Sequence, residues 1–168
     1  LVLRGNKAKH ESTFIPEPNG PSHAIELIEQ INDFNKGVFV DGSPIKVTNT
    51  PFSYGVACYP EKHEEAPNME QDIYWLKKKV EAGAEYAVTQ LFYDNQKYFQ
   101  FVEKVRKEGI TIPYMAAGGA VNRDFAESFN LGIYSAKAPM TPLIAEKVLA
   151  GYDWKKVREE WDSIVGGA

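Results

Sequence analysis

Several residues in this chain combine the chemistry of a binding site with a position at the end of an apolar run. Arg4 follows Leu1-Val2-Leu3, and its planar guanidinium suits a phosphate or a carboxylate as well as it suits a surface ion pair. His63 lies a few residues beyond the run Phe52 to Tyr59, where it can donate to a phosphate or a ring edge, or simply meet solvent. Gln90 interrupts the apolar stretch Ala87-Val88-Thr89-Gln90-Leu91-Phe92. A carboxamide inside such a strand must find partners or cost a few kcal/mol, which makes it a site candidate. Lys77, Lys78 and Lys79 form an exposed helix face from which one amine could turn toward a ligand. Gly118-Gly119 is either a plain turn or a place where backbone amides take a phosphate. Tyr54, Tyr59, Phe92 and Tyr93 can stack on a planar ring or pack at strand ends. The sequence holds no Walker loop, GxGxxG, HExxH or nucleophile elbow.

The elements that must position these residues alternate. Residues 1–4 read as a strand, followed by a loop rich in Pro, Asn and Gly. Ser22 then caps a helix whose apolar positions Ile25, Ile28 and Ile31 recur at three, and Gly37 ends it. A short hairpin around Asp41-Gly42 precedes a second strand, residues 52–59. A helix over about residues 72–82 stops at Gly83. Strands over 86–92 and 112–116 bracket a helix over 96–108. Beyond these, a helix over 123–129, a strand near 132–135 with Ser135 and Lys137 after it, and helices over 141–149 and 153–165 complete the reading. Five alternations of strand and helix call for a parallel sheet covered by helices in a single α/β domain. The architecture is then a partial or rearranged (β/α)₈ barrel, or a five-stranded flavodoxin-like doubly wound sheet. Both bind ligands at the C-terminal strand ends.

Composition narrows the partners. The 168 residues are 43% hydrophobic, and 19 basic against 23 acidic residues leave a net charge of -4 without a long block of either sign. That argues against a nucleic-acid footprint. The one cysteine, Cys58, excludes an intrachain disulfide framework and fits a reducing cytoplasm. No apolar run approaches the roughly 20 residues that span a bilayer, so the expectation is a soluble, cytoplasmic protein without a metal site.

Two segments then stand out together. Gly55-Val-Ala-Cys-Tyr-Pro-Glu-Lys-His63-Glu-Glu-Ala-Pro67, and Glu81-Ala-Gly-Ala-Glu-Tyr-Ala-Val-Thr-Gln-Leu-Phe-Tyr-Asp94 after the helix Asp72 to Lys79, closely resemble the methylenetetrahydrofolate reductase family. Leu3-Arg4-Gly5 and His23-Ala24 fall where that family's fourth strand and helix would be, and the likeness runs over residues 1–113. The resemblance implies a flavoprotein on a (β/α)₈ barrel that holds FAD and passes a hydride from NADH or NADPH to methylenetetrahydrofolate. It would place Arg4, Gly5, Asn6, Ala24, Tyr59, His63, Ala66, Asp72, Lys78 and Lys79 on FAD, with Gln90 and Asn6 toward the folate and the chemistry.

The chain departs from the family at three places. Asn6 stands where the family has an Asp, and the lost negative charge eases formation of reduced flavin while weakening support for a cationic folate intermediate. The family's first three βα units have no counterpart before Leu1, and residues 114–168 do not follow its pattern. A non-catalytic or engineered scaffold that keeps part of a flavin site is therefore the alternative, and a different barrel enzyme using Gly118-Gly119 is a third. An open barrel edge would make the protein a homo-oligomer or the partner of a complementing chain.

Overall fold

A computed structural model describes residues 1–46 and 51–116, which fall within a compact unit spanning Leu1–Ala117. The elements are α1 (Ala24–Asn35), β1 (Gly55–Cys58), α2 (Met69–Glu81), β2 (Tyr86–Thr89), α3 (Asn95–Lys107) and β3 (Tyr114–Met115). The three strands form one parallel sheet in the order β1-β2-β3, with Cys58 opposite Thr89 and Val88 opposite Met115. The segment before α1 joins on the far side of β1 through the parallel bridge Val2 to Val56. Sequential order without a reversal excludes the flavodoxin-like arrangement for these units, because there the first strand would part the second from the third. The elements and sites expected beyond residue 116, including Gly118-Gly119, Ser135 and Lys137, lie outside the described residues.

Several element boundaries differ from the apolar pattern, each for an identifiable reason. The expected strand over residues 1–4 reduces to the Val2 bridge, since Gly5 turns the chain at a φ of 92°. The second strand starts at Gly55 rather than residue 52, because the Asn35 side chain takes the place of a strand neighbour. It accepts from Phe52 N at 2.7 Å and donates to Phe52 O at 3.0 Å. Helix α1 is capped at His23 and not Ser22, and the Glu26 carboxylate gathers the N–H groups of Ser22 (2.9 Å) and His23 (3.1 Å). Helix α2 begins three residues early, where Asn68 Oδ1 accepts from Gln71 N at 2.8 Å. Strand β2 ends at Thr89, so Gln90 is an exposed residue at the strand end and not a buried amide within it.

The core gathers Ile28, Val56, Ala87 and Val105, all at 0% exposure, with Leu76 and Phe101 beside them. Burial of a side chain of this size contributes about 1.5–3 kcal/mol. Two glycines in the recognised segments are explained by close approach. A Cβ on Gly55 would fall within the Tyr86 ring. At Gly83, with φ +114°, a Cβ would meet Tyr54 Oη at 2.8 Å. That hydroxyl sits 2.8 Å from both Asn32 Oδ1 and Ala82 O, tying β1 to the ends of α1 and α2.

Candidate functional site

Parallel pairing brings the expected residues to one edge. Cys58 and Thr89 are opposite one another, so Tyr59 and Gln90 leave the sheet side by side, and Arg4 follows two residues after the Val2 bridge. The start of α1 and the N-terminal loop and face of α2 close around them. The result is a pocket of about 490 Å³, within the ~300–1,000 Å³ typical of small-ligand sites. Ten of the eleven expected site residues line it, and the eleventh, Lys78, does not.

Helix geometry accounts for the exception. Asp72 and Lys79 are seven positions apart, which returns them to within about 20° on a helix of 3.6 residues per turn, whereas Lys78 lies about 120° round from Asp72. Lys78 Nζ instead binds Glu81 at 2.8 Å on the exposed side. Trp75 lies on the pocket face between Asp72 and Lys79, and it stacks on the His23 ring at 5.3 Å between centroids. Neither was among the expected site residues. The three-residue step from Asp72 to Trp75 is the sequence signal that would have found the tryptophan.

The charges are placed with care. Asp72 Oδ2 accepts from His63 N at 2.9 Å, which fixes the loop between β1 and α2. Burial nevertheless pushes the Asp72 carboxyl above the usual value, with that hydrogen bond and Lys79 pulling the other way. Lys79 Nζ donates to Ala57 O at 2.9 Å; burial holds its pKa below that of an ordinary lysine, against the pull of Asp72. For both groups desolvation outweighs their mutual attraction, as it does for charges that still lack a full set of partners. The Tyr59 phenol is raised by burial and by Asp72, and its ring meets His63 edge-on at 4.6 Å. Beneath the pocket, burial drives the Cys58 thiol up to about 12, so it stays protonated and unreactive.

Arg4 is the most constrained cation. Its guanidinium lies 3.9 Å over the Phe14 ring, donates from Nε to Gly5 O at 3.1 Å and from Nη1 to Ser22 O at 3.3 Å, and forks onto Glu65 at 3.0 and 2.8 Å. Gly5 and Asn6 turn the chain across the pocket next to it, and Ala24 and Ala66 leave space on either side. Gln90 stands at the opening, its Oε1 accepting from Leu91 N at 3.1 Å. Arginine, lysine and histidine around an apolar-walled cleft suit a ligand that pairs an anionic group with a planar ring. Among the described residues no group of His, Cys, Asp and Glu is arranged to hold a metal ion. None of the described helices is long and apolar enough to cross a membrane.

The profile of the methylenetetrahydrofolate reductase family matches residues 1–118. The chain belongs to the methylenetetrahydrofolate reductase family. That match takes in every described element and all eleven expected site residues. It also ends five residues beyond the resemblance noted in the sequence. Methylenetetrahydrofolate reductase 1 of Schizosaccharomyces pombe is 45% identical over 113 residues, covering 67% of this chain and 16% of that protein. Methylenetetrahydrofolate reductase 2 of Saccharomyces cerevisiae is 33% identical over 115 residues, covering 67% and 17%. The Escherichia coli 5,10-methylenetetrahydrofolate reductase is 43% identical over 61 residues, covering 36% of this chain and 21% of that protein. The chain therefore spans about a sixth of the length of the two yeast reductases.

Proposed function

We propose that this chain is the flavin-holding part of a methylenetetrahydrofolate reductase built on a (β/α)₈ barrel. In this reading FAD binds in the pocket, NADH or NADPH is the electron source, and methylenetetrahydrofolate is the acceptor. The observation that carries the proposal is the convergence of ten residues, from five separate stretches of chain, on one pocket. The donor set fits the cofactor: Arg4, Lys79 and His63 offer cations and a ring N–H to a diphosphate, and Asp72 offers a carboxylate to ribityl or ribose hydroxyls.

Bound FAD would supply the two-electron relay between nicotinamide and folate. The protein's own contributions are positional and electrostatic. Lys79, anchored on Ala57 O, presents a partly desolvated ammonium whose attraction for phosphate is strengthened by the low local dielectric. Asp72 holds the His63 backbone and thereby the loop that carries His63 and Ala66 to the pocket. Gln90 can donate and accept at once toward a stacked heterocycle. Asn6 keeps a hydrogen-bonding group beside the ring system without adding negative charge.

The test is titration of the purified protein with FAD, followed by quenching of flavin fluorescence and the shift of the visible band. Saturable binding with one flavin per site is expected, and failure to bind FAD would end the proposal. Oxidation of NADH or NADPH coupled to methylenetetrahydrofolate then separates a competent reductase from a scaffold that holds flavin without turnover.

A further inference from the structure

The fork of Arg4 is already filled by an anion of the protein's own, and we infer that Glu65 is an internal competitor that ligand phosphate must displace from Arg4. This inference rests on the flavin reading of the pocket and concerns which anion holds Arg4. At least four of the five guanidinium N–H groups are engaged in the structure. Two of these bonds, to Gly5 O and Ser22 O, belong to the backbone and hold the side chain in place. The other two form the bidentate face, and both go to the Glu65 carboxylate. A carboxylate and a phosphate present the same pair of oxygens to that face and repel each other. Arg4 is 13% exposed and clamped on Phe14, whereas the Glu65 side chain is 38% exposed, so Glu65 is the partner free to leave.

The turn that carries Glu65 is stiffened by bonds of its own. Within residues 59–68, Lys62 Nζ donates to His63 O and Ala66 O, Glu65 N donates to His63 Nδ1 at 3.1 Å, and Ala66 N donates to His63 O at 3.1 Å. The ties from this turn across to the first segment are ionic: Arg4 to Glu65, and Lys7 to Glu64 at 3.5 Å with Glu64 79% exposed. Asp72 on His63 N and Lys97 on Glu61 tie the same turn to the body of the protein, so breaking the Arg4 pair frees the Glu65 side chain and leaves the turn in place. Glu65 itself lines the pocket beside Arg4, so a carboxylate that leaves the guanidinium vacates the position a ligand anion takes.

The experiment compares wild type, Glu65→Gln and Glu65→Asp, each titrated with FAD and separately with inorganic pyrophosphate. Hydrogen exchange over residues 61–68 is recorded without ligand. Loss of a partly exposed ion pair as competitor should tighten both ligands about fivefold in Glu65→Gln, with Glu65→Asp between the two. Exchange over 61–68 in Glu65→Gln should match wild type, because Asp72 still holds His63 N. Equal or weaker pyrophosphate and FAD binding by Glu65→Gln would overturn the inference and leave the flavin reading standing. Tighter pyrophosphate binding by Glu65→Gln, with FAD bound by neither protein, would sustain the inference and sink the flavin reading. Absence of binding of either ligand to all three proteins would overturn both.

Discussion

Replacing Lys79 by methionine separates the electrostatic role proposed for this residue from its packing. Methionine keeps the length and apolar stem of lysine, so the face of α2 that carries Asp72 and Trp75 is retained. Two stability effects oppose one another: Ala57 O loses its 2.9 Å donor, and the folded state no longer buries a cation. The net change should stay within about 1 kcal/mol. Ligand binding has no such compensation. A hydrogen bond from a charged donor contributes about 1.5–3 kcal/mol, so FAD affinity should fall about 10- to 150-fold in Lys79→Met, read by flavin fluorescence titration. The pH dependence gives a second reading. Because burial depresses the folded pKa below 10.5, FAD affinity should decline as pH rises through that lowered value, earlier than an ordinary lysine allows. Lys79→Arg, which stays charged, should remove the decline. Between the depressed folded value and 10.5 the unfolded chain holds more protons, so stability of the wild type rises with pH across that window, and Lys79→Met should abolish the rise. A Lys79→Met protein that binds FAD within about twofold of wild type, with an unchanged pH profile, would refute the electrostatic argument.

Three further outcomes are expected. Gly55→Ala should destabilise the protein by about 1–3 kcal/mol in urea unfolding, because the new Cβ displaces the Tyr86 ring, and Gly55→Ala with Tyr86→Ala should cost less than the two single changes summed. Tyr54→Phe should cost about 1–2 kcal/mol by removing the hydroxyl that Asn32 and Ala82 share, while FAD affinity stays the same; a matching loss of affinity would show that the α1 and α2 ends govern the pocket. Asn6→Asp should shift the potential of bound flavin to more negative values by adding a charge beside the ring, and a spectroelectrochemical titration showing no shift, or a positive one, would place Asn6 away from it.

Much of the fold was legible from local signals, and the misreadings lie at element boundaries. Over the described residues the alternation of strands and helices and the glycine stops at Gly37 and Gly83 appear in the structure, each glycine at positive φ. One boundary failed where a distant side chain replaced a backbone partner, as Asn35 does for Phe52, and another where Glu26, within α1, moved the cap from Ser22 to His23. Gln90 was noticed because a polar residue interrupts an apolar run, although the strand closes one residue before it. Glu65 was passed over, since nothing near it in sequence shows that Arg4, sixty-one positions away, would meet it.

By itself the sequence determined the residue chemistry, the α/β alternation and, through two specific segments, the family. Those properties depend on neighbours within a few positions along the chain, where helix and strand periods fix which side chains share a face. Only the tertiary structure decided that Arg4, Tyr59 and Gln90 share an edge, because the register between parallel strands is set by packing between distant segments. It also decided that Lys79 enters the pocket while Lys78 does not, since the helix must turn its apolar positions Ile73 and Leu76 to the core, and that rotation carries one lysine inward and the other to solvent.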